Sequence, residues 1–278
     1  MNANKQNRAQ NSQSDTHEQV EPYGRITRAF AQGAAFIGYV TGGDPDIDRC
    51  ADNIRALIAG GADLIEIGVP FSDPVAEGRV IQEANLRALA AGATLEKVLG
   101  LVRMLRRESE VPFVLLTYLN PVFRYGYEAF CAACADVGVD GVIVPDLPFE
   151  ERGELLPYTD ATGMVLISLV APTSAGRVKA IASEAKGYLY LVSSLGVTGA
   201  RSEIATDIEG LVAQIRAVSD VPVAVGFGIH TPEQARAIAR CADGCIVGSA
   251  LVELAHTAGN NAPAVLKRYT SKMKTAMC

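Results

Sequence analysis

Short apolar runs alternate along the chain with longer stretches whose apolar residues recur every three or four positions. The short runs are AAFIGYV (34–40), DLIEIGV (63–69), PFVLLTY (112–118), VIVPD (142–146), MVLISLV (164–170), GYLYLVS (187–193), VPVAVGFG (221–228) and GCIVGSAL (244–251). Each is near-continuously hydrophobic, as in strands covered on both faces. The stretches between them read as helices. Asp46 caps IDRCADNIRALIAGG, in which Ile47, Ala51, Ile54, Leu57 and Ile58 share a face and Gly60-Gly61 gives the stop. Thr94, Ser174 and Thr231 are further N-caps, the last followed by Pro232 at the first helical position. A short helix over 25–32 precedes the first strand. Strands alternating with crossover helices predict a parallel sheet. Eight of them predict a single-domain α/β fold, the (β/α)8 TIM barrel, with its site at the C-terminal ends of the strands. An open doubly wound sheet is the alternative, but no G-x-G-x-x-G follows the first strand.

Composition narrows the picture. A chain of 278 residues, 49% hydrophobic, can bury one large core. Residues 1–21 form a polar, Asn- and Gln-rich tail expected to be disordered, and 22–278 form the barrel. The tail lacks the apolar segment of a signal peptide, and no apolar run reaches the roughly 18 residues a membrane span needs. The expectation is a cytoplasmic protein with no membrane partner. A net charge of −6 argues against nucleic acid. Of six cysteines, Cys131 and Cys134 form a CxxC, but inside the helical stretch EAFCAACADVG, where they are small packing residues. No second pair stands at zinc-ribbon spacing, so no metal is expected and the cysteines read as reduced. His230, just beyond a Gly-rich strand end, reads as a turn residue.

The chemistry concentrates in DLIEIGVPFSDPVAEGRVIQ. Glu66 interrupts the apolar run of Leu64, Ile65, Ile67 and Val69. A buried carboxylate must find a partner, take up a proton or do chemistry. A second carboxylate, Glu77, follows in the loop beyond the strand. The two predict an acid/base pair at a barrel mouth, with a salt-bridged core glutamate as the plainer alternative for Glu66 alone. Three late strand ends are Gly-rich: GVTGA (196–200), GFGI (226–229) and GSA (248–250). Glycine lets backbone N–H groups approach an anion, and a helix opening at Ser249 would add its positive end. No lysine lies in these loops. Backbone donors with the Ser249 hydroxyl would therefore bind the phosphate, with Arg201 supplying distant charge.

Taken together, IEIGVPFSDPVAEGRVIQEANLRAL, YVTGGDPD, YLNPVFRYG, VPDLPFEE, LVAPT, SSLGVTGAR, GFGIHTPEQ and VGSALV resemble the tryptophan synthase α subunit family, from about residue 36 to the C-terminal helix. The resemblance implies a (β/α)8 barrel and a lyase of tryptophan biosynthesis. Its reaction is retro-aldol cleavage of indole-3-glycerol phosphate to indole and glyceraldehyde 3-phosphate, with no cofactor. It implies Glu66 as the general acid/base, Glu77 as the carboxylate that bonds the indole N–H, and Tyr190 as the tyrosine beside the catalytic glutamate. Gly199, Gly228, Gly248 and Ser249 match the phosphate binders, and Tyr39 and Phe227 the indole pocket. The implied partner is a β subunit in an α2β2 assembly, touching 41–46, 119–123 and Asp146. Two positions depart from the family pattern. Glu77 stands where an aspartate is usual, and Arg79 where a proline is usual. Arg79 is expected to pair with Glu77 or with the partner. These departures support an alternative, a weakly active or inactive paralogue that binds and activates a β subunit. Another phosphate-binding barrel is a third reading, which the paired carboxylates oppose.

Overall fold

The computed structural model describes residues 23–193, 201–226 and 228–278, without the side chains of 175 and 201–207. The polar tail lies outside the described residues. Nine strand segments form one all-parallel sheet: β1 (Ala35–Thr41), β2 (Leu64–Gly68), β3 (Phe113–Leu116), β4 (Gly141–Ile143), β5 (Val165–Leu166), β6 (Ser168–Val170), β7 (Leu189–Val192), β8 (Val223–Gly226) and β9 (Gly244–Val247). The ladder runs β5-β4-β3-β2-β1-β9-β8-β7-β6. Its two ends, β5 and β6, are halves of the predicted fifth strand, separated only by Ile167. The first half pairs with β4 and the second with β7, so the chain itself closes the sheet into the expected single-domain (β/α)8 barrel.

Around it run α1 (Gly24–Phe30), α2 (Ile47–Ala59), α3 (Arg79–Ala90), α4 (Leu95–Arg106), α5 (Leu119–Tyr125), α6 (Tyr127–Val137), α7 (Leu156–Thr162), α8 (Val178–Ser183), α9 (Arg201–Arg216), α10 (Pro232–Ala239), α11 (Ser249–Ala258) and α12 (Ala262–Met277). The capping signals act as expected at three helices. Asp46 accepts from Arg49 N–H, Thr94 from Lys97 N–H, and Thr231 from Gln234 N–H. Ser174 does not cap α8. Its hydroxyl accepts Ala171 N–H inside a short 3₁₀ turn, and α8 starts four residues later at Val178. The strand expected over 244–251 stops at Val247, because Gly248 turns the chain into α11. LNPVF, at the proposed β-facing stretch, opens α5. The fourth strand ends at Ile143, and Leu147 N–H closes a turn on Val144 C=O.

Strand alternation sorts side chains into two cores. Ile65, Ile67, Leu115 and Val142 face the helices in the outer core, which also holds Cys131 and Cys134 as packing residues. Ile37, Leu64, Val114, Ile143, Val165, Ile167, Tyr188, Tyr190 and Ile246 fill the barrel interior. α1 plugs its N-terminal end, with Ile26 fully buried and the Phe30 ring 5.6 Å from that of Tyr188. At that same end three aspartates clasp neighbouring strands. Asp63 accepts Phe36 N–H, Asp140 accepts Phe113 N–H, and Asp243 accepts Val223 N–H. Each is ion-paired, to Lys274, to Arg106 and Arg25, and to Arg216. The stabilising clasps thus sit at the opposite end from the strand C-termini, which are left to the site.

Candidate active site

Glu66 points into the barrel from β2, between Leu64 and Gly68, and is 1% exposed. Its neighbour in the ladder is Tyr39 on β1. Tyr188 reaches across the interior from just before β7, and its hydroxyl donates to Glu66 Oε1 at 2.8 Å. Burial opposes ionisation of Glu66, and the Tyr188 bond only partly offsets this, so the carboxyl is pushed up to about 7. No cation is ion-paired with it among the described residues, so the salt-bridged alternative does not hold. The Tyr188 phenol, buried beside this carboxyl, is itself held well above its ordinary range and stays a donor. A carboxyl that half-ionises near neutrality can both give and take a proton.

Glu77 sits in the loop between β2 and α3. Tyr118, the residue before α5, donates its hydroxyl to Glu77 Oε2, and the Tyr118 hydroxyl oxygen accepts Ala76 N–H at 3.1 Å. Gln82 Nε2 donates to Glu77 C=O at 2.9 Å, so backbone and side chain are both tied. Partial burial raises the Glu77 carboxyl above its ordinary value, against the Tyr118 bond. Arg79, expected beside Glu77 or a partner, instead pairs with Glu83 at 2.6 Å. Arg79 opens α3, and its guanidinium finds the carboxylate one turn on.

Of the remaining predicted residues, those described lie in or just beyond β1, β7, β8 and β9. Tyr39 and Tyr190 are 5% and 7% exposed, each lying over a strand-end glycine next door. A Cβ on Gly68 would lie 2.8 Å from Tyr39 Cζ, and one on Gly226 2.7 Å from Tyr190 Cζ, so glycine at both positions makes room for a ring. Gly248 adjoins the Tyr39 ring, and Ser249 opens the ten-residue α11. Gly228 turns with φ +73°, and His230 Nδ1 lies 2.9 Å from its C=O, as a turn residue. Gly199 and Phe227 lie outside the described residues, as does the Arg201 side chain.

Comparison with known proteins decides the family. The Tryptophan synthase alpha chain family model matches residues 27–277. The chain belongs to the tryptophan synthase alpha chain family. An alpha chain from Lacticaseibacillus casei is 46% identical over 253 residues, covering 91% of this chain and 95% of that one. One from Lactiplantibacillus plantarum is 49% identical, covering 91% and 96%. The crystal structure of tryptophan synthase subunit alpha from Legionella pneumophila aligns with TM-score 0.83 at 36% identity, covering 91% and 98%. A structure of the tryptophan synthase a2b2 complex from Pyrococcus furiosus aligns with TM-score 0.81 at 37% identity, covering 87% of this chain and 98% of that one.

Within this alpha chain family frame, two tyrosines emerge that the sequence did not single out. Tyr188 bonds Glu66, two residues before the expected Tyr190, and Tyr118 bonds Glu77. The period-two pattern of GYLYLVS could have flagged Tyr188, since it points to the same face as Tyr190. Tyr118 carried only the signal of a polar-tipped aromatic at a strand end.

Proposed function

We propose that the chain is the α subunit of a tryptophan synthase and cleaves indole-3-glycerol phosphate to indole and glyceraldehyde 3-phosphate. The carrying observation is Glu66, a buried carboxyl without a cation at the mouth of a barrel of this family, poised near neutrality. In the proposed reaction a carboxyl proton goes to indole C3, and the hydroxyl on the adjacent glycerol carbon loses its proton to the carboxylate. The bond between those two carbons then breaks. Its electrons return to the indole ring, and the former hydroxyl carbon leaves as the aldehyde. Atoms balance with no external acid, base or oxidant. Glu77 accepts the indole N–H, whose positive character grows when C3 is protonated, so the interaction strengthens toward the transition state. Tyr39 and Phe227 would enclose the ring, with Tyr190 beside the catalytic glutamate. Gly199, Gly228, Gly248 and Ser249 would hold the phosphate with backbone donors and one hydroxyl.

The β subunit is the expected partner, in an α2β2 assembly of the kind solved for Pyrococcus furiosus. Val75 (79% exposed) and Phe123 (67% exposed) are large apolar side chains near the proposed β-facing stretches 41–46, 119–123 and Asp146. The proposed location is the cytoplasm. All six cysteines are free and four are buried, in keeping with a reducing compartment. The polar tail over 1–21 is proposed to lie outside the barrel domain over 22–278.

The test is indole release by the purified chain, alone and with a β subunit. Release in either mixture supports the proposal. No release in both, with β-subunit turnover stimulated, would favour the non-catalytic activator instead.

A further inference from the structure

Glu77 carries one methylene more than the aspartate usual at its position, and its loop lacks the usual proline after Gly78. A longer arm has one more torsion to fix, and an error of about 1 Å in a reacting group costs on the order of a hundredfold in rate. Something must therefore hold this carboxylate. Arg79 does not, being committed to Glu83.

Tyr118 meets the loop at three points. Its ring packs on Phe71, with centroids 5.3 Å apart. Its hydroxyl oxygen accepts Ala76 N–H, and its hydroxyl hydrogen goes to Glu77 Oε2. With the oxygen's acceptor role taken by the backbone, the hydroxyl is aimed as a donor. The phenol itself is 2% exposed, at the junction of β3 and α5, and so is rigidly placed. Leu119 N–H, the next along the chain, is anchored on Asp146 Oδ1 at 2.8 Å. The loop over 71–78 thus wraps around a fixed post that ends at the carboxylate.

We propose that Tyr118 is the positioning residue for Glu77, holding one carboxylate oxygen so that the longer side chain presents its remaining acceptor capacity to the substrate N–H. The proposal rests on the function proposed above. A carboxylate held through one oxygen retains lone pairs for a second donor. The tyrosine also does electrostatic work, since a hydroxyl donated to the ionised form favours that form. The other ionisable groups whose charges reach Glu77 are Asp146 and Tyr39, both disfavouring added negative charge nearby, while Arg79 and Glu83 satisfy each other. No cation opposes the loss of the tyrosine among these groups.

The test uses the full chain with its β subunit and the variant Tyr118→Phe, which keeps the ring against Phe71; thermal melting checks that it folds. Cleavage of indole-3-glycerol phosphate is measured across pH. In parallel, the Glu77 carboxyl carbon is titrated by NMR, assigned with Glu77→Gln. The expected results are a kcat lowered roughly ten- to a hundredfold, as for a lost bond to a charged group, and a KM within about twofold. The Glu77 midpoint moves to higher pH, carrying the acid limb of kcat with it. In the Glu77→Asp background, where the shorter arm draws the carboxylate back from the phenol, Tyr118→Phe is expected to cost less. An unchanged kcat with an unchanged midpoint overturns the proposal, as does a raised KM at unchanged kcat, which marks uniform binding. If the wild type releases no indole, the functional reading fails on its own. The carboxyl titration then decides separately whether Tyr118 holds Glu77, an unmoved midpoint sinking it.

Discussion

Replacing Glu66 by glutamine should stabilise the fold increasingly as pH rises from about 4.5, with the full gain above about 7. An ordinary glutamate titrates at 4.5, and the fold pushes Glu66 up to about 7. Between those values the unfolded chain has released this proton while the folded chain still holds it, so stability falls as pH rises through the window. Below 4.5 both states are protonated, and the full stability is present. Above 7 both are ionised, and the loss is complete. The gap of 7 − 4.5 = 2.5 pH units, at about 1.4 kcal/mol each, is about 3 kcal/mol. Glu66 is 1% exposed, so solvent does little to screen this. Glutamine keeps the volume and an oxygen for the Tyr188 hydroxyl but cannot ionise. Glu66→Gln should therefore match the wild type at pH 4.5 and exceed it by about 3 kcal/mol at pH 8.5, or roughly 6–12 °C in Tm for a domain of this size. Scanning calorimetry at the two pH values reads this directly. Equal stability at pH 8.5, or an equal gain at both pH values, would refute the reasoning, because the carboxylate would then be ionised in the fold without penalty.

Two further outcomes concern the frame around the site. Asp140→Ala removes the acceptor of Phe113 N–H and the partner of Arg106 and Arg25, leaving a nearly buried guanidinium unpaired, and should cost about 3 kcal/mol by urea denaturation. Gly68→Ala places a Cβ against the Tyr39 ring and should displace it. The expected cost is about 1–3 kcal/mol of stability, with a rise in KM that a repacked pocket produces, measured by melting and by steady-state kinetics.

The barrel was legible because parallel strands covered on both faces leave near-continuous apolar runs, and because Asp46, Thr94 and Thr231 mark their helix starts with local chemistry. Glu66 stood out for the same reason, as a lone acid in such a run. The helix at LNPVF was hidden by its brevity, seven residues with Pro121 in the first turn, where proline is tolerated. Ser174 misled because its hydroxyl had a nearer donor in Ala171 N–H than any at the helix start. The break at Ile167 is set by which neighbours the fifth strand meets, not by anything in MVLISLV. The partners of the two carboxylates were invisible for a related reason. Tyr188 lies 122 positions from Glu66 and Tyr118 lies 41 from Glu77, so only closure of the barrel brings them together. The expected pairing of Arg79 with Glu77 failed because helix geometry gave it Glu83 first.

The central claim is that the buried carboxyl on β2 moves the protons of the cleavage. Glu66→Gln tests it most directly, in single-turnover release of indole with the β subunit present and with binding of glycerol 3-phosphate measured on the same sample. The account predicts unaltered phosphate binding and loss of cleavage by at least a hundredfold, the lower bound for a general acid/base. Cleavage at a rate near the wild type's, with the phosphate site intact, would contradict it.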